Sequence, residues 1–176
     1  MHIRELTAEE LDSIWTIDRT ETIERIYHHV NGELVLRQES WEVHGWPPDD
    51  RQQQAVLLAD CFERGGTFFG AFEEDRLVGV AVLENRFIGR ESDQLQLKFL
   101  HVSREHRGKG TGSMLFRRSV ERARELGAVR LYVSATPSEN TVNFYLNRGC
   151  RVTKDVDPDL FALEPEDIHL ECAVRS

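Results

Sequence analysis

Between residues 95 and 126 an extended run, a glycine-rich turn and a helical pattern follow one another without a gap, and no other stretch restricts the fold as strongly. Leu95 to Val102 alternates as a strand does. Arg107-Gly-Lys-Gly-Thr-Gly112 comes next, and Phe116, Val120 and Ala123 then recur at helical spacing until Leu126-Gly127 closes the pattern. Glycines at 108, 110 and 112 let the backbone turn sharply and gather its N–H groups at the positive end of the following helix dipole. Such a concavity binds phosphate.

Charge points the same way. The chain carries a net −9, yet residues 104 to 124 alone carry +5, with Arg104, Arg107, Lys109, Arg117, Arg118, Arg122 and Arg124 against Glu105 and Glu121. The rest therefore holds −14. A basic segment in an acidic chain suits a compact anionic ligand and argues against nucleic acid or an anionic membrane as partner.

Two familiar phosphate motifs fail. A dinucleotide fingerprint counted from Gly108 needs glycine where Ser113 stands, and counted from Gly110 it needs glycine where Leu115 stands. A Walker A loop ending at Gly108-Lys109 needs glycine at Ser103 and a hydroxyl residue at Gly110.

The 176 residues suffice for one domain over 1–176, with no repeat or linker to divide them. His2 to Leu6 reads as a strand, and Thr7 with Glu10 as the cap of a helix. Leu11, Ile14 and Trp15, then Ile23, Ile26, Tyr27 and Val30, fall at three- and four-residue intervals up to Asn31-Gly32, which predicts helix with a break near 18–22. Glu33 to Trp46 is expected to be extended. Pro47-Pro48-Asp49-Asp50 opens a second helix with Ala55, Leu58, Ala59 and Phe62 toward the core, and Gly65-Gly66 ends it. Thr67–Phe72 and Leu77–Leu83 form a hairpin. After the glycine turn and its helix come a strand over 129–135, a helix over 138–148, and strands over 151–154 and 168–174. The pattern predicts an α/β (α+β) domain with a central mixed, mostly antiparallel sheet of six to seven strands and helices on both faces.

Cys61, Cys150 and Cys172 are odd in number and far apart, so they are read as buried reduced thiols, neither a disulfide framework nor a zinc cluster. His28-His29 lacks ligand-spaced partners, so no metal is expected. With no apolar run of membrane length and no signal-like start, the chain reads as cytosolic.

The run Leu97-Lys-Phe-Leu-His-Val102, then Arg107-Gly-Lys-Gly-Thr-Gly112, then Ser138-Glu-Asn-Thr-Val-Asn-Phe-Tyr145 and Gly149-Cys150, resembles the GNAT superfamily of acetyl-CoA-dependent N-acetyltransferases. Its Arg/Gln-x-x-Gly-x-Gly/Ala signature is met at Arg107, Gly110 and Gly112. The resemblance covers about residues 95 to 153 and implies acetyl-CoA as cosubstrate. It implies that the diphosphate rests on the N–H groups of Arg107, Gly108, Lys109, Gly110, Thr111 and Gly112. The pantetheine arm would pair with backbone groups of Leu100 and Val102, and Arg104, Lys109 or Arg117 would reach the 3′-phosphate. Ser138, where relatives often have Asn, would cap the second helix.

The reaction so implied is attack of a neutral amine on the thioester, with Tyr145 as the acid that protonates the thiolate. The other reading of Tyr145 is an aromatic packed beside Phe144. No base is evident, because Gln96, Lys98 and Tyr132 stand where relatives place acidic or histidine side chains. Glu84, acting through water, is the candidate, the alternative being a rim carboxylate that attracts a cationic amine. His101 alternates away from Gln96 and Lys98 on an ideal strand and reads as structural. Trp41, His44 and Trp46 either line an acceptor pocket or anchor their loop to the core or to a second subunit, which leaves a homodimer open. The acceptor expected is an amine of a small molecule or peptide. The competing expectation is a non-catalytic acyl-CoA-binding or regulatory module, suggested by the missing base.

Overall fold

The computed structural model describes residues 1–174. Seven strands form one sheet, β1 (His2–Glu5), β4 (Thr67–Glu73), β5 (Arg76–Ile88), β6 (Gln94–Val102), β7 (Arg130–Ala135), β9 (Ile168–Ala173) and β8 (Arg151–Val152), in that spatial order. Every neighbouring pair is antiparallel except β6 with β7. This is the mixed sheet expected from the sequence.

Each face buries its own apolar layer. Helices α2 (Thr111–Glu125) and α3 (Glu139–Leu146) bring Leu115, Phe116, Ala123, Val142 and Tyr145 onto Val78, Ala81, Leu83, Leu95 and Leu97. On the other face α1 (Pro48–Glu63) and a 3₁₀ segment over Ala8–Thr16 cover Phe68, Phe72, Val80, Val82 and Phe99 with Ile14, Leu58 and Cys61. The start of the 3₁₀ segment is closed as the Thr7/Glu10 pattern predicts, Thr7 N–H donating to the Glu10 carboxylate at 2.9 Å. Along α1 only Leu58 and Cys61 are buried, and Ala59 faces solvent, against expectation.

The helix expected over 23–30 is a strand. β2 (Glu21–Val30) and β3 (Glu33–Val43) pair as a separate two-stranded sheet. Asn31 and Gly32 both take positive φ, 51° and 83°, so they make a hairpin turn rather than a helix end. Ile23 and Ile26, three apart on β2, are both buried, which is the spacing that mimics a helix; the register shift between Ile23 and Arg25 places its extra residue on β3, where Glu39 and Ser40 lie opposite Glu24.

A short helix, α4 (Pro158–Leu163), was not foreseen. Asp157 caps it by accepting from the N–H groups of Asp159 and Leu160, with Pro158 in the first turn, a signal that Asp-Pro carried all along. The expectation of three reduced thiols is corrected as well. Cys150, between α3 and β8, and Cys172, on β9, are joined by a disulfide, and Cys61 is free and buried. Among the described residues no helix is long and apolar enough to cross a membrane.

Candidate active site

β6 and β7 pair only over Gln94–Gln96 against Arg130–Tyr132. Beyond that point they diverge, and residues 97–102 of β6 lose their neighbour on one side over about 20 Å. The other side of β6 stays on β5. Ser103 N–H donates to the Val78 carbonyl at 2.8 Å, Gly79 lies opposite Val102, and Ala81 lies opposite Leu100. Because an antiparallel ladder alternates, Leu100 and Val102 turn their backbone groups away from β5 and into the wedge. One of these groups is already used, since Arg107 Nε donates to the Val102 carbonyl at 3.0 Å. Lys98 is the extra residue where the β5–β6 register slips between Val82 and Leu83.

The glycine turn lies just past the open end of β6. Gly108 and Gly110 have φ of 71° and 88°, a region where side chains are strained, and a Cβ on either would meet nothing within 4 Å. The Arg107 N–H bonds the Arg104 carbonyl, so the cradle expected from residue 107 starts one residue later. Among the described residues the N–H groups of Gly108, Lys109, Gly110, Thr111 and Gly112 have no backbone acceptor. They sit at the positive end of α2, in the arrangement that favours an anion. Gly112 serves another purpose: its Cβ would stand 3.2 Å from Phe144 Cε2, so glycine there lets α2 and α3 pack closely. Arg104, Lys109 and Arg117 are exposed beside the turn.

Across the wedge, Ser138 Oγ caps α3 by accepting from Thr141 N–H at 3.3 Å. That helix carries Tyr145, 5% exposed, its ring 6.0 Å from Phe116 and 5.1 Å from Phe144. Among the described residues its hydroxyl has no hydrogen-bond partner. Burial lifts the phenol above its ordinary range, and the Arg148 guanidinium, one turn on, partly opposes this. Arg148 also reaches Ser113 Oγ at the start of α2 and lies 3.5 Å over the Phe144 ring.

A profile of the acetyltransferase (GNAT) family matches residues 23–150. The chain belongs to that family. No curated protein sequence matches it significantly. Its GNAT fold is similar to that of nourseothricin acetyltransferase, with a TM-score of 0.72 at 19% identity over 99% of this chain and 98% of the other. It is also similar to the PaiA N-acetyltransferase of Thermoplasma acidophilum, solved with coenzyme A, with a TM-score of 0.64 at 17% identity over 98% of each chain. A Bacillus anthracis protein of suggested streptothricin acetyltransferase function, solved with acetyl coenzyme A, reaches 0.73 at 16% identity over 98% of each chain.

The α1 face of this GNAT sheet holds the remaining candidates. Glu84, 7% exposed, is clamped by Arg64 at 3.0 and 3.1 Å and by Lys98 at 3.3 Å. Burial acts to raise its carboxyl, but the two cations outweigh it and hold it below the usual carboxylate range. A carboxylate so paired is poorly suited to take a proton. His101 lies on this same face, contrary to the alternation expected from the sequence, because the slip at Lys98 resets the phase of β6. It packs edge-on to Trp46 and Phe99, and burial, helped by Arg19 and Arg107, pushes its pKa down to about 3. Trp46 donates to the Ile17 carbonyl at 3.0 Å and stacks on Phe99, whereas Trp41 and His44 are exposed. His28, on β2, pairs with Glu39 at 2.7 Å. Among the described residues no group of three or more His, Cys, Asp or Glu side chains is placed to hold a metal ion.

One structural element was invisible in the sequence. The chain from Asp18 to Tyr27 crosses the wide end of the wedge as a strap. At the β6 side Arg104 N–H and Arg107 NH2 donate to the Asp18 carbonyl, and Arg107 NH1 donates to that of Thr20. At the β7 side Tyr27 N–H donates to the Pro137 carbonyl at 2.8 Å, Ile26 bridges Ser138, and Arg25 pairs with Glu139 at 2.8 Å.

Proposed function

We propose that this protein is an acetyl-CoA-dependent N-acetyltransferase that acylates a primary amine of a small molecule or peptide. The observation that carries the reading is that, among the described residues, five N–H groups at 108–112 have no backbone acceptor just past the open end of β6, and the Tyr145 phenol on α3 has no hydrogen-bond partner.

Each part has a task that its geometry suits. The N–H groups of Gly108 to Gly112 would hold the coenzyme's diphosphate, and Lys109, with Arg104 or Arg117, would meet the 3′-phosphate. Leu100 and the Val102 N–H would bond the pantetheine arm as a neighbouring strand would, and a wedge-facing N–H of β6 would polarise the thioester carbonyl. Ser138 acts through α3, since its hydroxyl is spent on the cap. Acetyl-CoA supplies the activated acyl group. Tyr145, still protonated at neutral pH because burial raises it, donates its proton to the departing sulfur, and Arg148 favours the phenolate that results.

The named relatives include streptothricin-type acetyltransferases, so aminated antibiotics join polyamines and lysine peptides as acceptors to examine. The test is thiol release from acetyl-CoA with a panel of spermidine, kanamycin, streptothricin and a lysine-containing peptide. Release with at least one amine, lost on Tyr145→Phe while coenzyme binding persists, supports the enzyme. Coenzyme binding with no release for any amine would leave the non-catalytic acyl-CoA-binding module, which the paired state of Glu84 favours.

A further inference from the structure

The two faces of the wedge are chemically unlike. Tyr145 approaches from the α2–α3 face, so an amine attacking the acyl carbon from the other side must come from the α1 face. Side chains of β7 and β9 on that face follow from the register. Gln96 lies beside Tyr132, Tyr132 opposite Glu171, and Ser134 opposite His169, and none of these belongs to the apolar layer under α2.

Carboxylates on this wall differ in what they touch. Glu84 is held by Arg64 and Lys98. Glu171 is held by Arg151 at 2.6 Å and Arg130 at 3.3 Å, with Thr153 Oγ1 at 3.2 Å. Asp167 differs from both. Its side-chain partner among the described residues is the Ser134 hydroxyl, which donates to Oδ2 at 3.0 Å and leaves Oδ1 free. Ser134 lies two residues past Tyr132, the last β7 residue paired with β6, and therefore stands where the wedge is open.

The bases of other types on the wall are spent. His169 Nε2 lies 3.2 Å from the Glu164 carbonyl, which only accepts, so Nε2 carries the proton and Nδ1 accepts from the Tyr132 hydroxyl at 2.7 Å. The Tyr132 oxygen in turn accepts from Asp157 N–H at 3.1 Å. That closed chain holds the α4 segment to the sheet and has no free lone pair on nitrogen. His101 is too weak a base, as its depressed pKa requires.

We infer that Asp167 is the general base of the transfer reaction, positioned by Ser134, an assignment that rests on the acetyltransferase reading above. The amine nitrogen forms its bond to the acyl carbon, and that nitrogen, now positively charged and far more acidic, passes one proton to Asp167 Oδ1. The carbon–sulfur bond breaks, the electron pair leaves with sulfur, and Tyr145 protonates it. Both side chains then exchange back with solvent, so the products are the amide and the free thiol. Burial raises the Asp167 carboxyl and the Ser134 hydrogen bond partly opposes it. The groups around it are Ser134 and Tyr132 from β7, His169 from β9, Glu164 from the preceding turn and, through Glu164, Asp50 of α1. None of these supplies a fixed positive charge, since His169 is held neutral.

The test is steady-state turnover of acetyl-CoA across pH, using the best amine from spermidine, kanamycin, streptothricin and a lysine peptide. In Asp167→Asn, kcat should fall by about 100-fold or more, the KM for acetyl-CoA should stay within about twofold, and the acidic limb of kcat/KM should vanish. In Ser134→Ala, which deletes the bond that lowers the carboxyl, that limb should move to higher pH. Turnover of Asp167→Asn within about threefold of the parent, or an acidic limb that neither variant moves, overturns the assignment. Should Asp167→Asn fail to fold, the limb in Ser134→Ala decides alone. A parent protein that turns over none of the amines instead overturns the acetyltransferase reading, and this assignment with it.

Discussion

Arg107 donates from Nε to the backbone carbonyl of Val102 at 3.0 Å, so the first residue of the glycine signature binds the end of the strand that precedes it. Its guanidinium also reaches the carbonyls of Thr20 and Asp18 at 3.1 and 3.3 Å. The side chain thus ties β6 to the strap, while the N–H groups that follow it keep no backbone acceptor among the described residues. Arg107→Ala removes three hydrogen bonds to carbonyls at once, leaving those of Val102 and Thr20 without this donor and that of Asp18 with Arg104 N–H alone. Unfolding free energy should drop by about 1–3 kcal/mol, as loss of charge-assisted bonds implies. Thermal melts would check this, and an unchanged midpoint would show that the tie carries no stability.

Gly110→Ala separates cradle from fold. The φ of 88° makes alanine strained there by about 1 kcal/mol, while the new methyl meets no protein atom and projects into the space a diphosphate would take. Coenzyme A binding, measured by calorimetry, should weaken at least about tenfold with a modest change in melting. Equal affinity in the variant would remove the turn from the coenzyme site.

The phenols set an alkaline limit. Burial pushes Tyr132 up to about 12 and raises Tyr145 as well, so in the folded chain both keep their protons above pH 10, where the unfolded chain begins to lose them. The folded state then binds more protons than the unfolded one, and stability must fall with rising pH. Chemical denaturation between pH 8 and 11 should show the decline starting near pH 10, and its onset should weaken in Tyr145→Phe.

Reduction of Cys150–Cys172 should destabilise. The bond spans a sequence separation of 22 residues, for which chain-entropy arguments give about 3 kcal/mol. Melting with and without a phosphine reductant measures this. Cys61, whose buried thiol is pushed up to about 12, should resist alkylation in the folded protein in both states, and rapid labelling of it would contradict its packing.

Residues 95–126 and 138–149 were readable because their signals are local. A strand, three glycines, a helix stripe and a capping serine each announce themselves within a few residues, and the acid candidate Tyr145 came with its motif. The hairpin β2–β3 reads as helix for an equally local reason: Ile23 and Ile26 are both buried although three apart on one strand, a spacing that mimics a helix. His101 lies on the face opposite to the one its alternation predicts, because the register slip at Lys98 adds a residue to β6 itself. Glu84 was a fair candidate by its place at the end of an apolar run, yet Arg64, twenty residues earlier, and Lys98, fourteen later, neutralise it.

What the linear chain determined by itself was the sheet class, the glycine turn at the start of α2 and the helix that bears Tyr145, because propensity, periodicity and turn chemistry act between near neighbours. What only the tertiary structure decided was which distant residues meet: the strap over the wedge, the Cys150–Cys172 bond, and the contrast between a cation-locked Glu84 and an Asp167 held by a single hydroxyl. Those depend on contacts between residues tens of positions apart, and a carboxylate's charge partners, which set its basicity, are assigned only when the strands that carry them come together.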